Sequence, residues 1–118
     1  MLGSEVWDVI KVPFPYTDRP VRQRRPALVV ARHATAGMPV LLWVLMITSA
    51  RHRRWAGDVE VSDLAEAGLP APSIVRPAKV ATIEAKDAEA AGRLPLTDRQ
   101  AVAGFLSAAL REASGVPG

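Results

Sequence analysis

The first half of the chain carries its apolar residues in short runs. Residues 6–12, 27–31 and 40–47 are rich in Val, Ile and Leu, and each is too short for a free-standing helix, so each predicts a β-strand. In 6–12, Val6, Asp8, Ile10 and Val12 fall on one side and Trp7, Val9 and Lys11 on the other, so both faces carry apolar groups. Residues 40–47 are apolar throughout, as suits a central strand covered on both sides. Pro13, Pro15, Pro20 and Pro26 cannot donate to a ladder, which predicts a long connection over 13–25. Further on, residues 58–61 alternate as a short strand, Ser62 or Asp63 can cap a brief turn through Ala67, and Gly68 ends it. Residues 73–76 and 79–84 read as two extended pieces separated by Pro77. Thr97 opens a helix with Gln100 three residues on, the spacing of a capping box. Val102, Phe105, Leu106, Ala109, Leu110 and Ala113 form its apolar stripe, which must pack on something. Many short strands and one terminal helix predict a mainly antiparallel β fold, a small barrel or half-open roll crossed by the helix, as one domain over 1–118.

Composition narrows the function classes. The 118-residue chain is 49% hydrophobic and 23% charged, which excludes a disordered segment. It has no cysteine, hence no disulfide scaffold, thiol nucleophile or thiolate zinc site, and a reducing, cytoplasmic setting is expected. Its longest apolar run falls far short of the ~20 residues that span a bilayer, and no charged leader with an apolar segment opens the chain. The net charge of +3 conceals a strong asymmetry. Residues 1–18 carry −2, residues 19–57 carry +8, and residues 58–118 carry −3. No carboxylate lies between Asp18 and Asp58, whereas eight arginines do.

Guanidinium groups grip phosphate oxygens in pairs and stay charged at any relevant pH, so this window predicts contact with a nucleic acid rather than a merely solvated loop. The arginines cluster at 19–25 and 51–54, each beside a strand end. Phe14 and Tyr16 offer stacking faces for unpaired bases, although Phe14 taken alone better suits a plug for the end of a small core. Arg25 precedes Pro26, which biases it to an extended backbone, and leads into an apolar strand; such a group is positioned before substrate arrives. Thr48 ends the most hydrophobic strand, where its hydroxyl can face a cleft or, like that of Ser49, satisfy local backbone groups. His33 and His52 lie in polar segments, and His52 would share a face with Thr48 if the strand continued. Asp58, Glu60, Asp63 and Glu66 read as a strand edge and a surface turn, so no metal site is predicted, and the glycines form no phosphate-cradling motif.

Taken in order, these pieces resemble the MazF/PemK toxins of bacterial toxin–antitoxin systems. The carriers are VWDVIKVPFPYTD at 6–18, RRPALVV at 24–30 and ITS at 47–49. Gly57-Asp58-Val59, the stretch 67–76, Lys79 with Ala81-Thr82-Ile83, and Gly92-Arg93-Leu94 follow. The resemblance implies an SH3-like β-barrel with a C-terminal α-helix, working as a homodimer. It also implies an endoribonuclease that needs no metal or cofactor and cuts single-stranded RNA, chiefly mRNA. Arg25 and Thr48 match the catalytic pair, for attack of the ribose 2′-hydroxyl on the adjacent phosphorus to leave a 2′,3′-cyclic phosphate and a 5′-hydroxyl. Arg22, Arg24, Phe14, Tyr16, Ser49, Arg51, His52, Arg53 and Lys79 are then expected to hold the RNA. A cognate antitoxin with an acidic tail is expected to cover the basic groove.

Arg25 is too weak an acid to serve as a base, which leaves it to stabilise the phosphorane or help the leaving 5′-oxygen. Thr48 would orient the phosphate, and His52 is the candidate acceptor for the 2′-hydroxyl proton. The acid-free window predicts a cleft without carboxylates. The family commonly has Gly-Asp where this chain has Trp7-Asp8. Two rival functions suit the same barrel, a CcdB-like poison of DNA gyrase and a catalytically silent nucleic-acid-binding domain.

Overall fold

The computed structural model describes residues 4–13 and 24–115. Strands β1 (Asp8–Pro13), β2 (Arg24–His33), β3 (Leu41–Ser49), β4 (Val59–Glu60), β5 (Ser73–Glu84) and β6 (Glu89–Arg93) form one sheet in the order β4-β5-β3-β2-β1-β6. Every neighbouring pair is antiparallel, and the sheet curls into a half-barrel. A short helix α1 (Leu64–Ala67) and a long helix α2 (Leu96–Ser114) complete the chain. None of the described helices is long and apolar enough to cross a membrane.

Alternation along the strands feeds two cores. Ile10, Val12, Ala27, Val29, Val44 and Met46 pack on one face. Val9, Leu28, Leu45, Ile47 and Val75 pack on the other, together with Leu94 and with Val102 of α2. The unbroken apolar run of β3 thus reflects its place between β2 and β5, with a core on each side. Trp43 is the exception: it has the parity of Leu45 and Ile47 yet is exposed.

Several elements differ from the sequence reading. Pro13, Arg24 and Arg25 belong to the ladder and not to a loop, with Val12 opposite Arg25 and Pro13 opposite Arg24. Pro26 is tolerated because it faces Lys11 on one side only, the pairing of β2 with β3 starting at Ala27. The two pieces around Pro77 are one strand, in which Met46 faces Arg76 and Leu45 faces Val80. Pro77, Ala78 and Lys79 bulge between those pairs, where a missing N–H costs no ladder bond. Strand β6, with the sequence EAAGR, has no apolar alternation to announce it and exists because β1 offers it an edge.

The turn at α1 forms as expected: the Asp63 carboxylate accepts from the Glu66 N–H at 3.1 Å, and Gly68 ends the helix at φ +70°. Gly68 and Gly92 let α1 settle on β6. A Cβ on Gly68 would lie 2.0 Å from the Ala91 carbonyl oxygen, and one on Gly92 would lie 2.4 Å from the Ala67 carbonyl carbon. That contact fixes where residues 69–72 run.

Helix α2 corrects the capping box. It starts at Leu96 after Pro95, with no side-chain cap, so Gln100 does not stand at the third helical position. The Asp98 carboxylate instead accepts from the Ser62 N–H at 2.9 Å and the Ser62 hydroxyl at 3.0 Å, tying the helix to the chain just after β4. Only Val102 of the apolar stripe is fully buried. Phe105 and Leu106 are half-buried, and Ala109, Leu110 and Ala113 are exposed, so the stripe packs for about two turns and then stands clear.

Trp7, just before β1, has φ +77° and is the sole non-glycine with positive φ among the described residues. It occupies the position where the resembled family commonly has glycine. Its N–H donates to the Val29 carbonyl at 2.8 Å and its own carbonyl accepts from the Leu94 N–H at 3.0 Å, so the backbone is pinned on both sides. The indole packs against the core beneath α2, with the Arg99 guanidinium 5.9 Å from the ring centroid.

Candidate active site

Strand register explains how Arg25 meets Thr48. Ala27 pairs with Met46, and two residues further along each strand stand Arg25 and Thr48. Both line an open cleft of about 550 Å³ with Lys11, Arg24, Ser49, His52, Glu89 and the turn at 69–72. A small adjoining cavity, about 40 Å³, is again lined by Arg25 and Thr48 and adds Met46, Arg76 and Lys79. Arg51 lines a neighbouring cavity with Ser49, Ala71 and Pro72. Arg53 is exposed and lines none of these three. Phe14, Tyr16 and Arg22 lie outside the described residues.

His52 reaches Thr48 by a route the sequence reading did not foresee. The strand does not continue past Ser49; the chain turns, with the His52 N–H donating to the Ser49 carbonyl at 3.1 Å. The Ser49 hydroxyl accepts from the Arg51 N–H at 3.2 Å and so serves the local backbone. Thr48 does not: its Oγ1 lies 2.5 Å from His52 Nδ1. The neutral imidazole offers one donor and one acceptor nitrogen, so whichever role Nδ1 takes toward Thr48, Nε2 takes the other.

The expectation of an acid-free cleft is overturned. Glu89, at the start of β6, lines it and pairs with Arg24, Nη1 to Oε2 at 3.2 Å. Arg54 pairs likewise with Glu60, so at least two of the described window arginines have carboxylate partners. A carboxylate-free stretch of sequence is not a carboxylate-free volume, because β1 brings β6 to within reach of β2.

Behind the cleft lies a buried ion pair. Asp58 accepts from Arg76 Nε at 3.2 Å and Nη2 at 3.0 Å, and its second oxygen also takes the Trp55 N–H at 2.8 Å. Arg76 further donates to the Arg53 carbonyl at 2.7 Å and stacks 4.2 Å from the Trp55 ring centroid. Burial by itself raises the Asp58 carboxyl. The hydrogen bonds from Arg76 and Trp55 and the charges of Arg76 and Arg54 outweigh it, and the group is held below the usual carboxylate value. These contacts fasten the segment that carries His52. The signal for Arg76 was present in the sequence as a lone arginine inside the apolar strand piece SIVRP. Glu89 had no such signal.

The sequence matches the family described as PemK-like, MazF-like toxin of type II toxin-antitoxin system over residues 5–110. No curated protein matches it. Among solved structures, the Mycobacterium tuberculosis toxin MazF-mt6 is 23% identical, with 94% of this chain and 99% of that chain covered and a TM-score of 0.63. The MazE-MazF complex from Deinococcus radiodurans gives 20% identity, 90% and 93% coverage and a TM-score of 0.66. An endoribonuclease in complex with its cognate antitoxin, from a mycobacterial species, gives 16% identity, 99% coverage of both chains and a TM-score of 0.60. At these identities the likeness speaks for the fold, and the family match spans nearly the whole chain. The chain belongs to the PemK-like, MazF-like toxins of type II toxin–antitoxin systems.

Proposed function

We propose that this toxin is a metal-independent endoribonuclease acting on single-stranded RNA, with Arg25 and Thr48 at the reacting phosphate. The observation that carries the reading is the meeting of a strand-held guanidinium, a threonine hydroxyl and an imidazole on one open cleft. In the productive tautomer His52 Nδ1–H donates to Thr48 Oγ1, which leaves the Nε2 lone pair to accept the proton of the ribose 2′-hydroxyl. The Thr48 hydroxyl hydrogen then points to a non-bridging phosphate oxygen. The 2′-oxygen attacks phosphorus, Arg25 stabilises the doubly charged phosphorane, and the P–O5′ bond breaks. The leaving 5′-oxygen, hydrogen-bonded by Arg25, is protonated from solvent. The products are a 2′,3′-cyclic phosphate and a 5′-hydroxyl.

Arg24, Ser49, His52 and Lys79 hold the strand on either side of the cut, with Arg51 and Arg53 on the adjoining turn and Phe14, Tyr16 and Arg22 from the connection before β2. A cognate antitoxin with an acidic tail competes for the same guanidinium groups; two of the similar structures are complexes, MazE-MazF and an endoribonuclease with its cognate antitoxin. The toxin works as a homodimer.

The test is incubation of purified protein with single-stranded RNA in excess EDTA, followed by end analysis. Cleavage with cyclic-phosphate ends is expected, and Arg25→Ala should slow single-turnover cleavage at saturating enzyme by about 10²–10³-fold, the usual loss of one transition-state donor. Intact RNA together with trapped gyrase would overturn the reading. An Arg25→Ala variant that binds RNA more weakly yet cuts at the wild-type single-turnover rate would reduce Arg25 to a binding group.

A further inference from the structure

We propose that the indole of Trp55 is a stacking platform for a base of the single-stranded RNA, within about two nucleotides of the cut. The inference rests on the endoribonuclease reading above, which gives Trp55 no part.

Strand register puts the ring beside the reacting groups. Thr48 stands opposite Ile74 and Met46 opposite Arg76, so Thr48 and Arg76 occupy neighbouring positions on one face of the sheet. Arg25 shares that face, because Val12, opposite it, and Met46 point into the same core. Glu60, opposite Ile74, extends the face to β4 at the edge of the sheet. The chain between β3 and β4 folds back over this face. His52 touches Thr48, and three residues later Trp55 lies over Arg76, its ring centroid 4.2 Å from the guanidinium carbon. Arg76 itself lines the small cavity shared by Arg25 and Thr48. Two residues along a strand span roughly 7 Å, so the indole stands on the order of 10 Å from the Thr48 hydroxyl, within reach of a short run of single strand.

The role of the ring in the fold leaves much of it open to solvent. One face covers the buried Arg76–Asp58 pair, yet Trp55 is 46% exposed. The turn that carries it is fixed from two sides. The Asp58 carboxylate accepts from the Trp55 N–H at 2.8 Å, and the Asp58 N–H donates to the Trp55 carbonyl at 3.2 Å. Gly57, at φ +88°, lies against Phe105 of α2, where a Cβ would come 2.4 Å from the phenyl ring. An aromatic surface held this way loses little freedom when a base settles on it. Charge then selects the occupant. Arg51, Arg53 and Arg54 precede the ring in the same turn, while the carboxylates Glu60 and Asp58 on this face are each paired with an arginine. An apolar plane set among cations suits a base whose own phosphates rest on guanidinium groups. Stacking asks only for a π-face, so the platform takes any of the four bases.

The experiment first locates the cut with the wild type on a randomised single-stranded RNA library. Binding is then measured on 2′-O-methyl RNA spanning that cut, which has no free 2′-hydroxyl to attack. Trp55→Leu keeps an apolar cover on Arg76 but has no π-face, and it should weaken binding about tenfold or more. The salt dependence of binding should not change, because stacking releases no counterion. Trp55→Tyr, which restores a π-face, should recover most of the loss. One abasic nucleotide within about two positions of the cut should cost the wild type as much as the leucine does, and should cost Trp55→Leu nothing further. Trp55→Leu with wild-type affinity overturns the inference and leaves the indole as a cover for the ion pair. Weaker binding with a shallower salt slope also overturns it, since the arginines of the turn would then have been displaced. So does an abasic penalty equal in wild type and variant at every position. A wild type that cuts RNA while Trp55→Leu binds equally well refutes this inference alone, whereas a wild type that cuts nothing overturns the endoribonuclease reading and this inference with it.

Discussion

Asp58→Ala should remove a large share of the fold's stability. The carboxylate and the guanidinium of Arg76 are 1% and 9% exposed, and removing Asp58 strands a buried cation. Arg76 would keep the Arg53 carbonyl and the Trp55 ring but lose two hydrogen bonds and its counter-charge. The Trp55 N–H would lose its acceptor too. Breaking a buried pair on one side costs about 3–5 kcal/mol. By contrast, Glu60→Ala breaks the exposed pair with Arg54 and should cost at most about 1 kcal/mol. Against a native stability of about 5–15 kcal/mol, the first change is large and the second minor. Urea denaturation followed by tryptophan fluorescence measures both. The double variant Asp58→Leu/Arg76→Met removes both charges and should recover much of the loss, because paired apolar groups of similar volume replace an ion pair at little cost. An Asp58→Ala loss below about 1 kcal/mol, or a double variant no better than Asp58→Ala, would refute the argument.

The same pair has a pH signature. The folded carboxyl lies below its unfolded value of about 3.9, so its stabilisation is fully present above that value and is lost as pH falls through the folded one. Asp58→Asn should flatten that part of the acid limb when urea denaturation is followed against pH, and an unchanged limb would mean that Asp58 does not carry it.

Two further substitutions test local geometry. At Trp7, Gly removes the indole but suits the left-handed backbone, whereas Ala removes the indole and keeps the strain, so Trp7→Ala should be less stable than Trp7→Gly by about 1 kcal/mol; the reverse order in chemical denaturation would mean that the left-handed conformation is not imposed on the native state. At the start of α2, Asp98→Ala leaves the Ser62 N–H without its acceptor and should cost about 1–3 kcal/mol, while Thr97→Ala should cost much less. Equal losses in the two melts would restore Thr97 as the cap.

The middles of β1 to β5, the Asp63–Gly68 turn and the Arg25–Thr48 candidates were legible because they depend on neighbours along the chain: alternation, Pro and Gly placement, and the end of an apolar run. His52 was legible as a candidate but not in its geometry, since a turn after Ser49, not a continued strand, carries it back to Thr48. The helix was legible as an amphipathic segment, but not its cap, because the acceptor for Ser62 comes from Asp98, far away in sequence.

By itself, then, the chain determined a mainly antiparallel β fold with a terminal helix, a concentrated positive charge and a family resemblance that picks out Arg25 and Thr48. Only the tertiary structure decided what shares space with them. Sheet order brings Glu89 of β6 into the cleft and sets Arg76 of β5 against Asp58. The reason is physical: a strand's own pattern states which side chains turn inward, but pairing between strands distant in sequence sets which charges meet, so Glu89 reaches Arg24 of the carboxylate-free window while Asp58 meets Arg76 outside it.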